Sequence, residues 1–262
     1  MELTGRVVVL TGAAHGIGAA MARRFAAEGA AGVVVSDVDE NGAERVADEI
    51  RAAGGRAVAA ATDATSKKDL KALVAGARAE FGPVDLFCAN AGAAFGTGVH
   101  AADDQWTRSW ELNVMQHVHA AQAVLPSMLA RGEGYLLLTA SAAGLLGTPG
   151  DAPYSVTKHA AVGLAEWLAI TYRPRGVRVS ALCPLGVRTA LLEPGIAAGH
   201  PAALAVAAAA PLLEPEEVAD TVVRGLAAEE FLILPHESVR ESFARKARAV
   251  DAWIDQMAVR GG

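Results

Sequence analysis

Ser141, Tyr154 and Lys158, in the run TASAAGLLGTPGDAPYSVTK, are residue types that together could move a proton. Tyr154 and Lys158 are four apart, so a helix would place them on one face. A free phenol ionises near pH 10 and is a poor base at neutral pH; lowering that by two to three units takes about 3–4 kcal/mol. A lysine charge about 4 Å away, at an effective dielectric near 20, supplies about 4 kcal/mol. A serine hydroxyl beside the pair would hydrogen-bond and orient a substrate oxygen. The set suits taking a proton from an alcohol, or giving one to a carbonyl oxygen in reverse. Tyr-x-x-x-Lys also arises by chance, so its weight depends on the elements around it.

Those elements alternate. Apolar runs predict strands at 6–10, 32–36, 56–61, 84–89, 135–140, 177–183 and 231–234. Helical runs cover 16–28, 40–53, 67–81, 103–131, 152–172 and 216–227, and a C-terminal helix covers about 237–258. Strands that are apolar throughout belong to a parallel sheet covered on both faces. The sequence therefore predicts an α/β fold, a single doubly wound Rossmann-type domain over 1–262. Its seven-stranded, mainly parallel sheet carries helices on both faces. The stretch 185–213 reads as an irregular substrate loop. In such sheets ligands bind beyond the carboxyl ends of the strands.

Four consecutive predicted strand ends carry signals of that kind. TGAAHGIG follows the first strand and opens the first helix, with Gly12, Gly16 and Gly18 spaced G-x3-G-x-G. Glycine there permits a tight turn, close backbone approach to a pyrophosphate, and close helix–strand packing. The helix N-terminus offers free N–H groups to the anion. Asp37 ends the second strand, where a carboxylate can accept both ribose hydroxyls of an adenosine and would repel a 2′-phosphate. NAD is thus preferred over NADP. A helix N-cap or turn former is the plainer reading of Asp37, and is open to Asp39 as well. Asp63, with Ala64 after it, closes the third strand and could meet an adenine edge or cap the next helix. Asn90, Ala91 and Gly92 follow the fourth strand, where small residues let a flat cofactor lie against the chain.

Other chemistries find little support. The chain of 262 residues has a net charge of −6, which argues against a nucleic-acid partner. No run of about 20 apolar residues would span a membrane, and VVVLTGAA is too short for a secretory signal. A soluble cytoplasmic protein is the expectation. Cys88 and Cys183 sit in apolar runs and read as buried thiols. No Gly-x-Ser-x-Gly is present for a serine hydrolase. No metal is expected, because the seven histidines are scattered and His117 and His119 point to different helix faces.

Taken together, these motifs resemble the short-chain dehydrogenase/reductase family over nearly the whole chain. Thr11, Gly12, Gly16, Ile17 and Gly18 match its glycine motif, and Asn90, Ala91 and Gly92 its strand-four motif. The resemblance implies a catalytic tetrad of Asn113, Ser141, Tyr154 and Lys158, with Asn113 supporting a water chain from Lys158 to solvent. It also implies that Lys158 holds the nicotinamide ribose beside Tyr154. Pro184, Val187 and Thr189 of PLGVRT match the segment that covers the nicotinamide, but Leu185 replaces a glycine there. Leucine removes freedom at positive φ and adds bulk at the cleft. His15 is a hint of a further phosphate contact. The family is often a homo-oligomer, tetramer or dimer.

The function expected is NAD(H)-dependent interconversion of a hydrophobic secondary alcohol and its ketone, with Tyr154 as general base or acid. An NADP-dependent ketone reductase and a non-catalytic dinucleotide sensor are the alternatives. The expected pocket walls are 93–99, 142–150 and 185–213, contributing Phe95, Leu145, Leu146, Leu191, Leu192 and Ile196. The C-terminal run reads as packing on the same subunit, or as a lid or subunit contact.

Overall fold

The computed structural model describes residues 1–95, 98–147 and 149–261, with the backbone alone at 259–261. Gly96, Thr97 and Thr148, which belong to the expected pocket walls, lie outside the described residues.

The strands are β1 (Val7–Thr11), β2 (Gly32–Asp37), β3 (Ala57–Ala61), β4 (Leu86–Ala89), β5 (Gly134–Thr139), β6 (Val177–Leu182) and β7 (Leu232–Ile233). They form one sheet in the order β3-β2-β1-β4-β5-β6-β7, and every pairing is parallel. The mainly parallel sheet expected is thus parallel throughout. The helices are α1 (Gly16–Ala27), α2 (Glu40–Ala52), α3 (Lys67–Phe81), α4 (Asp103–Trp110), α5 (Gln116–Arg131) and α6 (Ala143–Leu146). There follow α7 (Ala152–Tyr172), α8 (Glu193–Ala197), α9 (Pro201–Ala209), α10 (Pro215–Ala227), α11 (Glu237–Arg248) and α12 (Val250–Gly261).

The uniform apolarity of the strands has a simple cause. Successive side chains point to opposite faces, and both faces are covered. Val8, Leu10, Val33, Val35 and Cys88 join a core with α1, α2 and α10. Their neighbours Val9, Val34, Phe87 and Leu136 join a second core with α3, α5 and α7. Strand order reverses at β1, which pairs with β2 on one side and β4 on the other. The loops after β1 and β4 therefore diverge and leave a crevice between them.

Three expectations on elements need correction. The helix expected at 103–131 is interrupted by a π-helical turn, Glu111–Met115. The irregular loop at 185–213 holds α8 and α9, each begun by a proline in its first turn. The C-terminal helix is two helices, because Ala249 leaves helical backbone at φ −152 and ψ 79. Alanine-rich runs such as Pro201–Ala209 carry almost no polar–apolar period, so nothing in them marks a helix face.

Candidate active site

A cleft of about 880 Å³ opens at the carboxyl ends of the strands, within the size range of small-molecule sites. All the predicted site residues except Asn113 line it.

At one end the glycine loop lies on the turn after β4. Gly12 has φ +62, and a Cβ there would stand 2.7 Å from Ala91 Cα. A Cβ on Gly18 would meet the Gly12 carbonyl oxygen at 2.1 Å and Asn90 Nδ2 at 2.7 Å. Asn90 explains the close fit. Its Nδ2 donates to the carbonyls of Thr11 (3.2 Å) and Gly12 (3.0 Å), and its Oδ1 accepts from Thr139 Oγ1 at 3.0 Å. It ties the ends of β1, β4 and β5 together. Gln116 assists from the other side, meeting Thr11 Oγ1 and donating to the Ala91 carbonyl. Sequence reasoning missed Gln116; its only signal is a position three residues after Asn113 on the same helical run.

Asp37 lines the cleft with Oδ2 accepting from Ala14 N–H at 3.0 Å and Oδ1 from Asp39 N–H at 3.1 Å. It does not cap α2. Asp39 does, accepting from Gly42 N–H at 3.0 Å, and this bond, followed by that to His15, holds its carboxyl below the usual range. His15 Nε2 lies 2.9 Å from Asp39 Oδ2, so its nearest partner is an acid. Asp63 does not cap α3 either. It accepts from Thr65 N–H (2.9 Å) and Oγ1 (2.7 Å), while Ser66 caps the helix. The carboxylates of Asp37 and Asp63 are thus both on the cleft. A dinucleotide fits this end: a backbone cradle no side chain could enter, the N-terminus of α1, and an acid beyond it.

The other end holds the residues expected to move a proton. Ser141 Oγ accepts from Ala143 N–H at 3.1 Å. Asp151 caps α7 through Tyr154 N–H (2.9 Å) and also accepts from Phe95 N–H (3.0 Å), joining that helix to the loop after β4. Lys158 is buried, donates to the Thr139 carbonyl at 2.9 Å, and lies 5.6 Å from the centroid of the Tyr154 ring. Burial draws its ammonium down to about 8. Burial pushes the Tyr154 phenol up, opposed by the hydrogen bond with Ser141. That direction is opposite to the one the sequence suggests, because removal of the phenol from water outweighs its neighbours.

Asn113 is fully buried in the π-helical turn. Its Oδ1 accepts from Ala93 N–H at 3.0 Å, and its Nδ2 donates to the Ala93 carbonyl (2.9 Å) and to Thr157 Oγ1 (3.1 Å). A Cβ on Gly92 would stand 3.2 Å from Asn113 Oδ1 and 3.3 Å from Lys158 Nζ. Both polar ends converge on that glycine.

The substrate walls differ in part from expectation. Phe95, Leu191 and Leu192 line the cleft, whereas Leu145, Leu146 and Ile196 do not. Leu145 and Leu146 turn into the core below α7. Leu185 lines the cleft without left-handed backbone, since Glu229 is the only non-glycine at positive φ among the described residues. Arg108 and Leu112 add a face of the α4 region that the sequence reading did not single out, with the Arg108 guanidinium 5.4 Å from the Phe95 centroid. Their four-residue spacing was the available signal.

Cys88 and Cys183 are buried free thiols, and burial pushes Cys183 up to about 12. Among the described residues, no group of three or more His, Cys, Asp or Glu side chains could hold a metal ion, and no helix is long and apolar enough to cross a membrane.

Residues 6–197 match the family described as short chain dehydrogenase. Among curated relatives, 1-deoxy-11-beta-hydroxypentalenate dehydrogenase of Streptomyces exfoliatus is 34% identical over 92% of this chain and 86% of its own. Human estradiol 17-beta-dehydrogenase 11 is 30% identical over 91% of this chain and 77% of its own. Among solved structures, a short chain dehydrogenase/reductase from Burkholderia phymatum in complex with NAD superposes with a TM-score of 0.87, at 29% identity over 96% of both chains.

Proposed function

The chain belongs to the short-chain dehydrogenase family, and on that premise we propose that it is an NAD(H)-dependent dehydrogenase of hydrophobic secondary alcohols, working in reverse on their ketones. One observation carries the reading. Ser141, Tyr154 and Lys158 line the same cleft as the Gly12–Gly18 cradle and Asp37. The NAD in the Burkholderia structure supports the cofactor class. The carboxylate of Asp37 supports NAD over NADP.

A bound nicotinamide dinucleotide would supply the hydride acceptor or donor. Gly12, Gly16, Ile17, Gly18 and His15 would face its phosphates, Asp37, Asp63 and Ala64 its adenosine, and Asn90–Gly92, Pro184, Val187 and Thr189 its nicotinamide half. The remaining work falls to the chain. Ser141 Oγ hydrogen-bonds the substrate oxygen and fixes its position. Tyr154 Oη takes the hydroxyl proton in oxidation and returns it in reduction. Burial favours the protonated phenol, which is the form that donates to a ketone. For the opposite direction the Lys158 ammonium favours the phenolate. Asn113, bonded to Thr157 beside Lys158, supports the route by which protons reach solvent.

Phe95, Leu191 and Leu192 support an apolar substrate, and so do relatives named for estradiol and for a hydroxypentalenate. The whole chain, 1–262, acts as one unit in this reading, in a cytoplasmic dimer or tetramer. The test is NADH formation across a panel of secondary alcohols, from small polyols to alicyclic, terpenoid and steroid alcohols. The apolar ring alcohols should give the highest kcat/KM. A small polyol that outperforms all of them would overturn the substrate class.

A further inference from the structure

We propose that the C-terminal helix pair positions the two cleft walls that face the alcohol, with His236, Lys246 and Trp253 as the positioning residues. The proposal rests on the reading of the cleft as an alcohol dehydrogenase site.

Among the described residues, none from 237 onward lines the cleft. Yet three side chains from this end of the chain reach back to backbone atoms of the two segments whose residues Ala143 and Leu185 line it. Lys246 Nζ donates to the Leu145 carbonyl at 2.6 Å, and Trp253 Nε1 donates to the Leu146 carbonyl at 3.1 Å. His236 Nδ1 accepts from Leu185 N–H at 3.3 Å, which requires the ring proton on Nε2. Trp253 and His236 are both 6% exposed, and Lys246 is half-buried.

The targets matter. Leu145 and Leu146 end α6, a single turn whose last carbonyls have no partner within the helix. The C-terminal pair supplies both. At its other end α6 is fastened to Ser141, whose Oγ accepts from Ala143 N–H and whose carbonyl accepts from Gly144 N–H at 2.9 Å. The backbone of α6 also rests on α7, since a Cβ on Gly144 would stand 2.4 Å from the Lys158 carbonyl oxygen. Leu185 belongs to the opposite wall, and the two walls are joined by Ala142 N–H donating to the Pro184 carbonyl at 2.8 Å. Val239 and Phe243 of α11 pack into the core that contains Leu145, Leu146 and Leu185.

The break at Ala249 makes this possible. In one straight helix, Lys246 and Trp253 would lie about 10 Å apart along the axis. The bend brings both donors to α6, with the Arg245 guanidinium 5.4 Å from the Trp253 ring across the bend.

Trp253→Phe keeps the ring and loses the N–H; Lys246→Met keeps the stem and loses the charge. Four quantities are measured on each full-length variant: kcat/KM for the best alcohol, NADH affinity, Tm, and hydrogen exchange at Leu146 and Gly147. Each variant should lose roughly two- to tenfold in kcat/KM for the alcohol, as for one lost hydrogen bond. NADH affinity should stay within about twofold, because the glycine cradle is untouched. Exchange at Leu146 and Gly147 should quicken. Unchanged exchange in both variants overturns the proposal. So does a fall in NADH affinity that tracks alcohol kcat/KM and Tm, which marks a general loss of structure. The exchange measurement needs no turnover, so it decides the clamp even if no alcohol is oxidised and the reaction class fails.

Discussion

Lys158 Nζ and the carbonyl oxygen of Thr139 lie 2.9 Å apart, a bond from the middle of α7 to the last residue of β5. It holds the ammonium above the Tyr154 ring and leaves the phenol facing the cleft. Tyr154→Phe keeps the ring and deletes the hydroxyl proposed to carry the proton. Turnover should fall by about 10²–10⁴, with NADH affinity unchanged by fluorescence titration. Wild-type turnover in this variant would remove Tyr154 from the chemistry.

The same lysine sets a pH limit. With its pKa drawn down to about 8, Lys158 carries charge below that pH and loses it above. Ketone reduction should hold a steady kcat/KM up to about pH 8 and decline beyond it. Lys158→Met should be slow at every pH and lack that inflection. A pH series of NADH consumption for both proteins checks this.

Asp37 meets the cleft beside the loop that follows β1, accepting from Ala14 N–H. Asp37→Asn keeps a hydrogen-bonding side chain and removes the charge that opposes a 2′-phosphate. The ratio of NADP to NAD kcat/KM should rise by about tenfold or more, equivalent to about 1.4 kcal/mol. An unchanged ratio would mean that the carboxylate does not select the cofactor.

Two glycines give opposite outcomes for the same substitution. Gly18→Ala forces a Cβ against the Gly12 carbonyl, so the cradle must shift. It should cost about 1–3 kcal/mol and weaken NADH binding. Gly76, inside α3, has open space around the same position. Gly76→Ala should stabilise by about 0.5–1 kcal/mol. Urea unfolding of both variants measures the contrast.

How much of this was readable in the sequence depended on local punctuation. The spans 67–81 and 152–172 coincide with α3 and α7, because Gly82 and Pro83 end one and Pro174 follows the other. That the strand-end residues meet in one cleft was readable because a parallel sheet dictates where its loops meet. Capping was less so: several acids stood near each helix start, and only the backbone path gave α2 to Asp39 and α3 to Ser66. Leu145 and Leu146 looked like pocket wall because hydrophobicity does not say which way a short turn faces. The direction of the Tyr154 shift escaped because charge spacing is visible in a sequence and solvent exclusion is not. The bend at Ala249 carries neither glycine nor proline.

The π-helical turn at Glu111–Met115 is a local widening of the helix that carries Asn113. It has consequences for how this molecule can change over generations. Deleting a single residue there would restore a uniform α-helical repeat. The same deletion would rotate Asn113 away from Ala93 and Thr157. A lineage that kept the fold but abandoned the chemistry would be free to straighten this helix first. The widened turn is therefore a place where disuse would become visible in descendants.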